Sequence, residues 1–105
     1  MEIENARKRY IPMSETMFFI LFSLREERHG YAVMQYVQNL TNGRIVMGAG
    51  TIYQSISKLL RDGLISATEE KDRQKKYRIT KTGLAILKEE AVRIREMAEV
   101  AEVLL

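Results

Sequence analysis

Gly50-Thr51-Ile52-Tyr53-Gln54-Ser55-Ile56-Ser57-Lys58-Leu59-Leu60-Arg61-Asp62-Gly63-Leu64-Ile65 is the stretch on which the reading of this chain turns. Ile52, Ile56, Leu59 and Leu60 recur at helical spacing, which predicts a helix over Ala49–Asp62, closed by Gly63 at its C-cap. With side chains placed at steps of about 100°, those four fall on one side of the helix. The opposite side presents Gln54, Ser57, Lys58 and Arg61, with Thr51 and Tyr53 flanking. After Gly63 the period changes. Leu64–Thr68 reads as a short strand, Glu69–Lys75 as a charged turn, and Lys76–Thr80 alternates polar and apolar as a half-buried strand does. The hairpin so formed carries Lys71, Arg73, Lys75, Lys76 and Arg78.

Upstream, Asn42-Gly43 and Gly48-Ala49-Gly50 are breaks, and Val33, Val37 and Leu40 mark a helix over Gly30–Leu40. Before it, Ser14 caps a helix expected over Glu15–Glu27. Met17, Phe18, Phe19, Ile20, Leu21, Phe22 and Leu24 leave that helix almost no polar face, so it needs cover on all sides, and a second subunit is expected to supply part of it. Downstream, Thr80 caps a last helix with Gly83 in its first turn. Along it Leu84, Leu87, Ala91, Ile94, Ala98, Ala101 and Leu105 step alternately by 3 and 4 residues. Such a heptad seam favours helix pairing between subunits, and its small alanines allow close approach. The expected fold is mostly α with a small β-hairpin, in the order α-α-α-β-β-α. That is a winged helix-turn-helix, with residues 1–82 as the DNA-binding domain, N-terminal helix included, and 83–105 as a dimerisation helix.

Composition narrows the function. The chain has 105 residues, 17 Lys+Arg against 14 Asp+Glu, no Cys and one His, His29. A chain this short builds a thin core that partner chains often complete. Without cysteine there is no disulfide framework, zinc finger, iron–sulfur cluster or Cys nucleophile. One histidine, with no G-x-S-x-G and no G-x-x-x-x-G-K-[ST], leaves no nucleophilic triad, multi-His metal site or nucleotide cradle, so no enzyme, metal or cofactor is expected. The apolar run Met17–Leu24, broken by Ser23, falls well short of the roughly 20 residues that span a bilayer. No cleavable leader is apparent after Arg7-Lys8-Arg9, so a cytoplasmic protein that does not engage membranes is expected.

Charge is unevenly spread. Residues 1–43 are neutral overall, 44–82 carry +5 and 83–105 carry −2. A basic surface confined to the middle of a small chain is the footprint of a polyanion binder, here double-stranded DNA. Gln54 lies in the half of its helix that meets base edges, and its amide suits adenine. Lys58 and Arg61 are better placed as phosphate ligands. Gly48 and Gly50 either let the chain approach a phosphate closely at the helix start or form an ordinary turn. His29 is read as a cap or hydrogen-bonded packing residue. Tyr31 and Tyr53 are read equally as core or exposed, and Tyr77 as core because it shares its strand face with Ile79.

His29-Gly30-Tyr31, Gly50-Thr51-Ile52-Tyr53, Leu59-Leu60-Arg61-Asp62-Gly63-Leu64-Ile65 and Lys76-Tyr77-Arg78-Ile79-Thr80-Lys81-Thr82-Gly83 together resemble the PadR family of bacterial transcriptional regulators, over about residues 11–90 and in the same order. The resemblance implies a homodimeric DNA-binding repressor, built from one winged-helix domain and a C-terminal helix that crosses to the partner's N-terminal helix, and two-fold symmetry then implies a palindromic operator. Carried over by position, Tyr53 and its neighbours Gly50, Thr51, Gln54 and Ser57 face DNA, and Lys75, Lys76 and Arg78 lie on the wing with Lys71 and Arg73. Two positions depart from the family pattern: Gln54 stands where proline usually follows the tyrosine, and Ala32 where an acidic residue is common. The interface between subunits is expected to hold Met17, Phe18, Phe22, Leu87, Ala91, Ile94, Ala98, Ala101 and Leu105. Some family members release DNA when a small aromatic molecule enters that interface. The corresponding pocket here would draw on Met17, Phe18, Phe22 and Met97, since the last helix contains no aromatic residue. A dimeric winged-helix module for protein interaction, without DNA binding, is the alternative. Five basic against three acidic residues in Glu69–Arg78 weigh against it.

Overall fold

The computed structural model describes residues 1–105. Five helices and a three-stranded antiparallel sheet follow in the order α1 (Ile3–Tyr10), α2 (Glu15–Ser23), β1 (Arg28–His29), α3 (Gly30–Leu40), α4 (Ala49–Arg61), β2 (Ile65–Lys71), β3 (Gln74–Ile79) and α5 (Lys81–Ala101), with a closing 3-10 turn over Glu102–Leu104. The winged-helix arrangement is present, with α1 and β1 added to the six elements expected.

Local chemistry accounts for the boundaries. The Ser14 hydroxyl accepts from the Met17 N–H at 3.1 Å and starts α2. That helix ends at Ser23 rather than Glu27, because Arg28 and His29 are extended and pair with Tyr77 and Lys76 of β3 in sheet order β1-β3-β2. α4 closes in a Schellman motif. Gly63, at φ +76°, donates to Leu60 O, and Leu64 donates to Leu59 O. Thr80 caps α5 by accepting from the Gly83 N–H at 3.1 Å, and its own hydroxyl donates to Gly63 O at 2.7 Å. The expected charged turn Glu69–Lys75 is mostly strand. β2 and β3 run on until Lys71 pairs with Gln74, and only Asp72 and Arg73 turn, both at positive φ as a two-residue I′ hairpin demands.

Ile20, Leu21 and Leu24 of the α2 region meet Val33 and Val37 of α3, Ile52, Ile56 and Leu59 of α4, Leu64 and Ile65 at the wing base and Ile86 of α5 in one core. Burying those aliphatic side chains, at about 1.5–3 kcal/mol each, is the main stabilising contribution. α2 therefore receives much of its cover from its own chain. Leu87, expected at the interface between subunits, is instead packed into this core. Beyond Glu90 the seam is bare. Ala91, Ala98 and Ala101 are exposed, as are Ile94, Met97, Val100 and Leu105, the last 97% so. No helix is long and apolar enough to cross a membrane.

Candidate nucleic-acid interface

α4 buries Ile52, Ile56 and Leu59 and turns its other face outward. Gly50, Tyr53, Gln54, Ser57, Lys58 and Arg61 line one shallow depression along that face, and Thr51 is exposed beside it in the first turn. A Cβ built on Gly48 or Gly50 would meet no atom within 4 Å, so the chain's own packing does not require glycine at either position. The helix starts at Gly48 without a side-chain cap. Its first N–H groups therefore have no capping partner, which suits an anion.

A cleft of about 420 Å³ adjoins the depression, between the start of α3, the start of α4 and the wing. Its walls include His29, Tyr31 and Gln35 on one side and Arg73, Lys75 and Tyr77 on the other, and Tyr53 is shared with the depression on α4. Tyr31 and Tyr53 are 63% and 48% exposed, so neither is a core aromatic, whereas Tyr77 is buried as expected. Gly30 explains how Tyr53 comes so close to α3: a Cβ there would lie 2.8 Å from the tyrosine ring. His29 makes no cap. Its Nδ1 donates to the Lys75 carbonyl at 3.3 Å and ties α3 to the wing. Sequence reasoning missed Tyr31, Gln35 and Gln74 as surface partners of Tyr53, since the signal for them is the closeness of α3 to the hairpin.

The wing cations divide into two groups. Arg73 and Lys75 line the cleft. Lys76 sits 3.7 Å from Glu27 and 3.6 Å from Glu69, so two carboxylates already partner it. A hydrogen bond from Thr68 and the charges of Lys76 and Arg78 hold the Glu27 carboxyl below its ordinary range, although burial opposes this. Lys71 and Arg78 are exposed. On α4, Lys58 rests its ammonium 5.0 Å above the Tyr10 ring, while Arg61 is largely exposed and only loosely paired with Asp62 at 3.9 Å.

With no residue of α4 or the wing in its lining, a groove of about 310 Å³ lies between α2 and α5. Met13, Phe18, Phe19, Ile94 and Met97 line it with Arg93. Of the four residues expected in an effector pocket, Phe18 and Met97 are there and Met17 and Phe22 are not. Phe22 stacks on Phe18 at 6.3 Å, beneath the Arg25 guanidinium at 3.7 Å.

Residues 20–89 match the family described as "Transcriptional regulator PadR-like family". The chain is 32% identical over 97 residues to the "Transcriptional regulator YqjI" of Escherichia coli K12, a match that covers 91% of this chain. It spans only 45% of that relative's length. Among solved structures, a PadR family transcriptional regulator from Eggerthella lenta superposes with a TM-score of 0.72 at 23% identity, covering 97% of this chain and 87% of that one. Bacillus subtilis PadR in complex with operator DNA superposes with a TM-score of 0.63 at 26% identity, covering 74% of this chain and 47% of that one.

Proposed function

The chain belongs to the PadR-like family of transcriptional regulators, whose members are regulators and not enzymes, and on that premise we propose that it is a homodimeric repressor of a palindromic operator in double-stranded DNA. One observation carries the proposal: the outward face of α4 is a continuous row of hydrogen-bonding and basic side chains, Gln54, Ser57, Lys58 and Arg61, that leads into a cleft walled by two wing cations. α4 enters the major groove. Gln54 reads a base edge, where an amide can pair with adenine N6 and N7. Lys58, Arg61, Arg73 and Lys75 neutralise phosphates, with Gly50, Thr51, Tyr53 and Ser57 in close approach to the backbone. Lys71, Lys76 and Arg78 add wing contacts, and Lys76 must leave Glu27 and Glu69 to make its own. That B. subtilis PadR was solved on operator DNA supports DNA as the partner.

Residues 83–105 supply dimerisation. The bare seam at Ala91, Ile94, Ala98, Ala101 and Leu105, with half-buried Met17, Phe18 and Phe22 on α2, is an apolar surface that a second copy covers, and two-fold symmetry then sets two α4 helices about one DNA turn apart. A small aromatic effector takes the α2/α5 groove, where Phe18, Phe19, Ile94 and Met97 offer apolar contact beside the charged Glu15 and Arg93, and whose size is at the lower end of ligand sites, roughly 300 Å³. Titration calorimetry with planar aromatic compounds tests the effector, and absence of heat across the panel counts against it.

Fluorescence anisotropy tests the main reading, with duplex from upstream of the protein's own gene and random duplex titrated at several salt concentrations. Upstream DNA should bind at least about a thousandfold tighter than random, with a log–log salt slope near −0.9 per phosphate neutralised. Weak binding to both, indifferent to salt, would refute it and leave the dimeric interaction module.

A further inference from the structure

α1 (Ile3–Tyr10) lies against both of the helices whose relative placement governs how a dimer meets DNA. On one side it grips the last turn of α4. Asp62, the C-cap of that helix, is buried, and its carboxylate accepts from the Tyr10 hydroxyl at 2.6 Å and from Arg9 Nη1 at 2.9 Å. The Tyr10 ring itself lies beneath Lys58. On the other side, Arg7 Nε donates to both carboxylate oxygens of Glu89 on α5, at 2.9 and 3.0 Å. The next residue, Glu90, is fully buried and accepts from Arg93 and from the Met13 N–H just beyond α1. Ala6 and Tyr10 are buried on the inner face of α1, in the core cluster. A two-turn helix thus links the end of the outward-facing helix to the middle of the helix whose far end is bare.

We infer that α1 is a brace that fixes the angle between α4 and α5, with Asp62, Tyr10 and Arg7 as positioning residues for recognition of paired half-sites. This rests on the reading that α4 enters the groove and α5 pairs two copies. In such a dimer, the distance and rotation between the two α4 helices follow from the pairing of the α5 helices and from the α4-to-α5 angle within each protomer. Inserting one base pair between half-sites moves one of them by about 3.4 Å and turns it by about 34°. A stiff brace makes binding sensitive to that change, and a loosened brace makes it tolerant.

A helix that only completed the core would behave differently. Its substitution would lower the melting temperature and leave the preference for spacing untouched, so spacing is the readout that separates the two roles. The full chain first selects its site from a pool of random duplexes, and the spacing between the selected half-sites is then lengthened and shortened by one base pair. Wild type should lose at least about tenfold in affinity at either altered spacing, whereas Tyr10→Phe and Arg7→Gln should lose less than about threefold. The two contacts act in series, so the double variant should match the more tolerant single variant rather than add to it. Arg7 is partly exposed, so Arg7→Gln keeps the test alive if Tyr10→Phe fails to fold. A wild type that selects spaced half-sites, with variants that keep its spacing profile, overturns the brace and leaves the DNA reading intact. So does a wild type that is itself indifferent to spacing. A wild type that selects no sequence overturns both.

Discussion

A single added methyl group at two glycines separates the fold from the surface it presents. At Gly83 a Cβ would lie 2.0 Å from the Leu64 carbonyl oxygen and 2.8 Å from Ile79 Cγ1. That oxygen cannot swing aside, because it belongs to the backbone and accepts from the Thr80 N–H at 3.0 Å. The first turn of α5 must therefore lift from the base of the wing. Overpacking of this kind costs about 1–3 kcal/mol, with a backbone clash at the upper end, and the better helix propensity of alanine offsets about 0.5–1 kcal/mol. Gly83→Ala should thus destabilise by about 2 kcal/mol and lower Tm by about 8–16 °C for a chain of this size. At Gly30 the clash is with Cε1, Cζ and Oη of Tyr53, the far end of a half-exposed side chain that can turn away. Gly30→Ala should leave stability within about 1 kcal/mol of wild type, since the propensity gain and the displaced ring nearly cancel. Its DNA affinity should nevertheless fall about tenfold, because Tyr53 no longer joins the α4 face to the cleft. Thermal melts and anisotropy on the same preparations decide the matter. A Gly83→Ala protein that melts within about 2 °C of wild type would contradict the packing of α5 on Leu64. A folded Gly30→Ala protein with undiminished affinity would remove Tyr53 from the interface.

Gln54→Ala should relax preference at one base step, at a cost of about 1–3 kcal/mol, while Lys75→Ala weakens all sequences alike and flattens the salt slope by about one unit. Lys76→Ala should do less than Lys75→Ala, because two carboxylates hold Lys76; a larger effect in the same titrations would contradict that ranking. Ile94→Asp places a charge on the bare seam and should give monomers in sedimentation equilibrium, and an intact dimer would locate the interface elsewhere. Acid should weaken the fold through Asp62 and Glu90. Burial raises both carboxyls, but Tyr10 and Arg9 around Asp62, and Arg93 and the Met13 N–H around Glu90, outweigh it and hold both below their ordinary range. The native pKa values thus lie below the unfolded ones, near about 4, so this contribution is complete above that pH and is lost as pH falls below it. Urea midpoints should be level from pH 7 to about 5 and then drop, and a midpoint unchanged at about pH 3 would refute the assignment.

Much of the architecture can be read from local signals. Gly30–Leu40 is a helix because Val33, Val37 and Leu40 keep one spacing, and α4 ends where Gly63 allows a left-handed turn. α1 is not legible in the sequence although Ile3, Ala6 and Tyr10 are spaced for one inward face, since Arg7-Lys8-Arg9 interrupts that face with three consecutive charges. In the structure Arg7 and Arg9 answer carboxylates more than fifty positions away in sequence. The hairpin turn is shorter than its sequence suggests, because Asp72-Arg73 lacks the glycine that usually announces a two-residue turn. At the candidate site, periodicity alone identified the outward face of α4. The cleft beside it could not be read, because Tyr31, Tyr53 and Arg73 meet only through tertiary packing.

Both Asp72 and Arg73 hold left-handed backbone, which costs L-residues with a Cβ about 1 kcal/mol or more each, and Asn-Gly at the same positions would relieve most of it. That exchange would also delete the guanidinium at the mouth of the cleft. At Arg73, backbone ease and a cation at the cleft therefore compete for one position, and on the proposed DNA reading a turn optimised for thermostability should bind DNA less tightly. Selection for a heat-resistant variant is the setting in which this conflict would surface first.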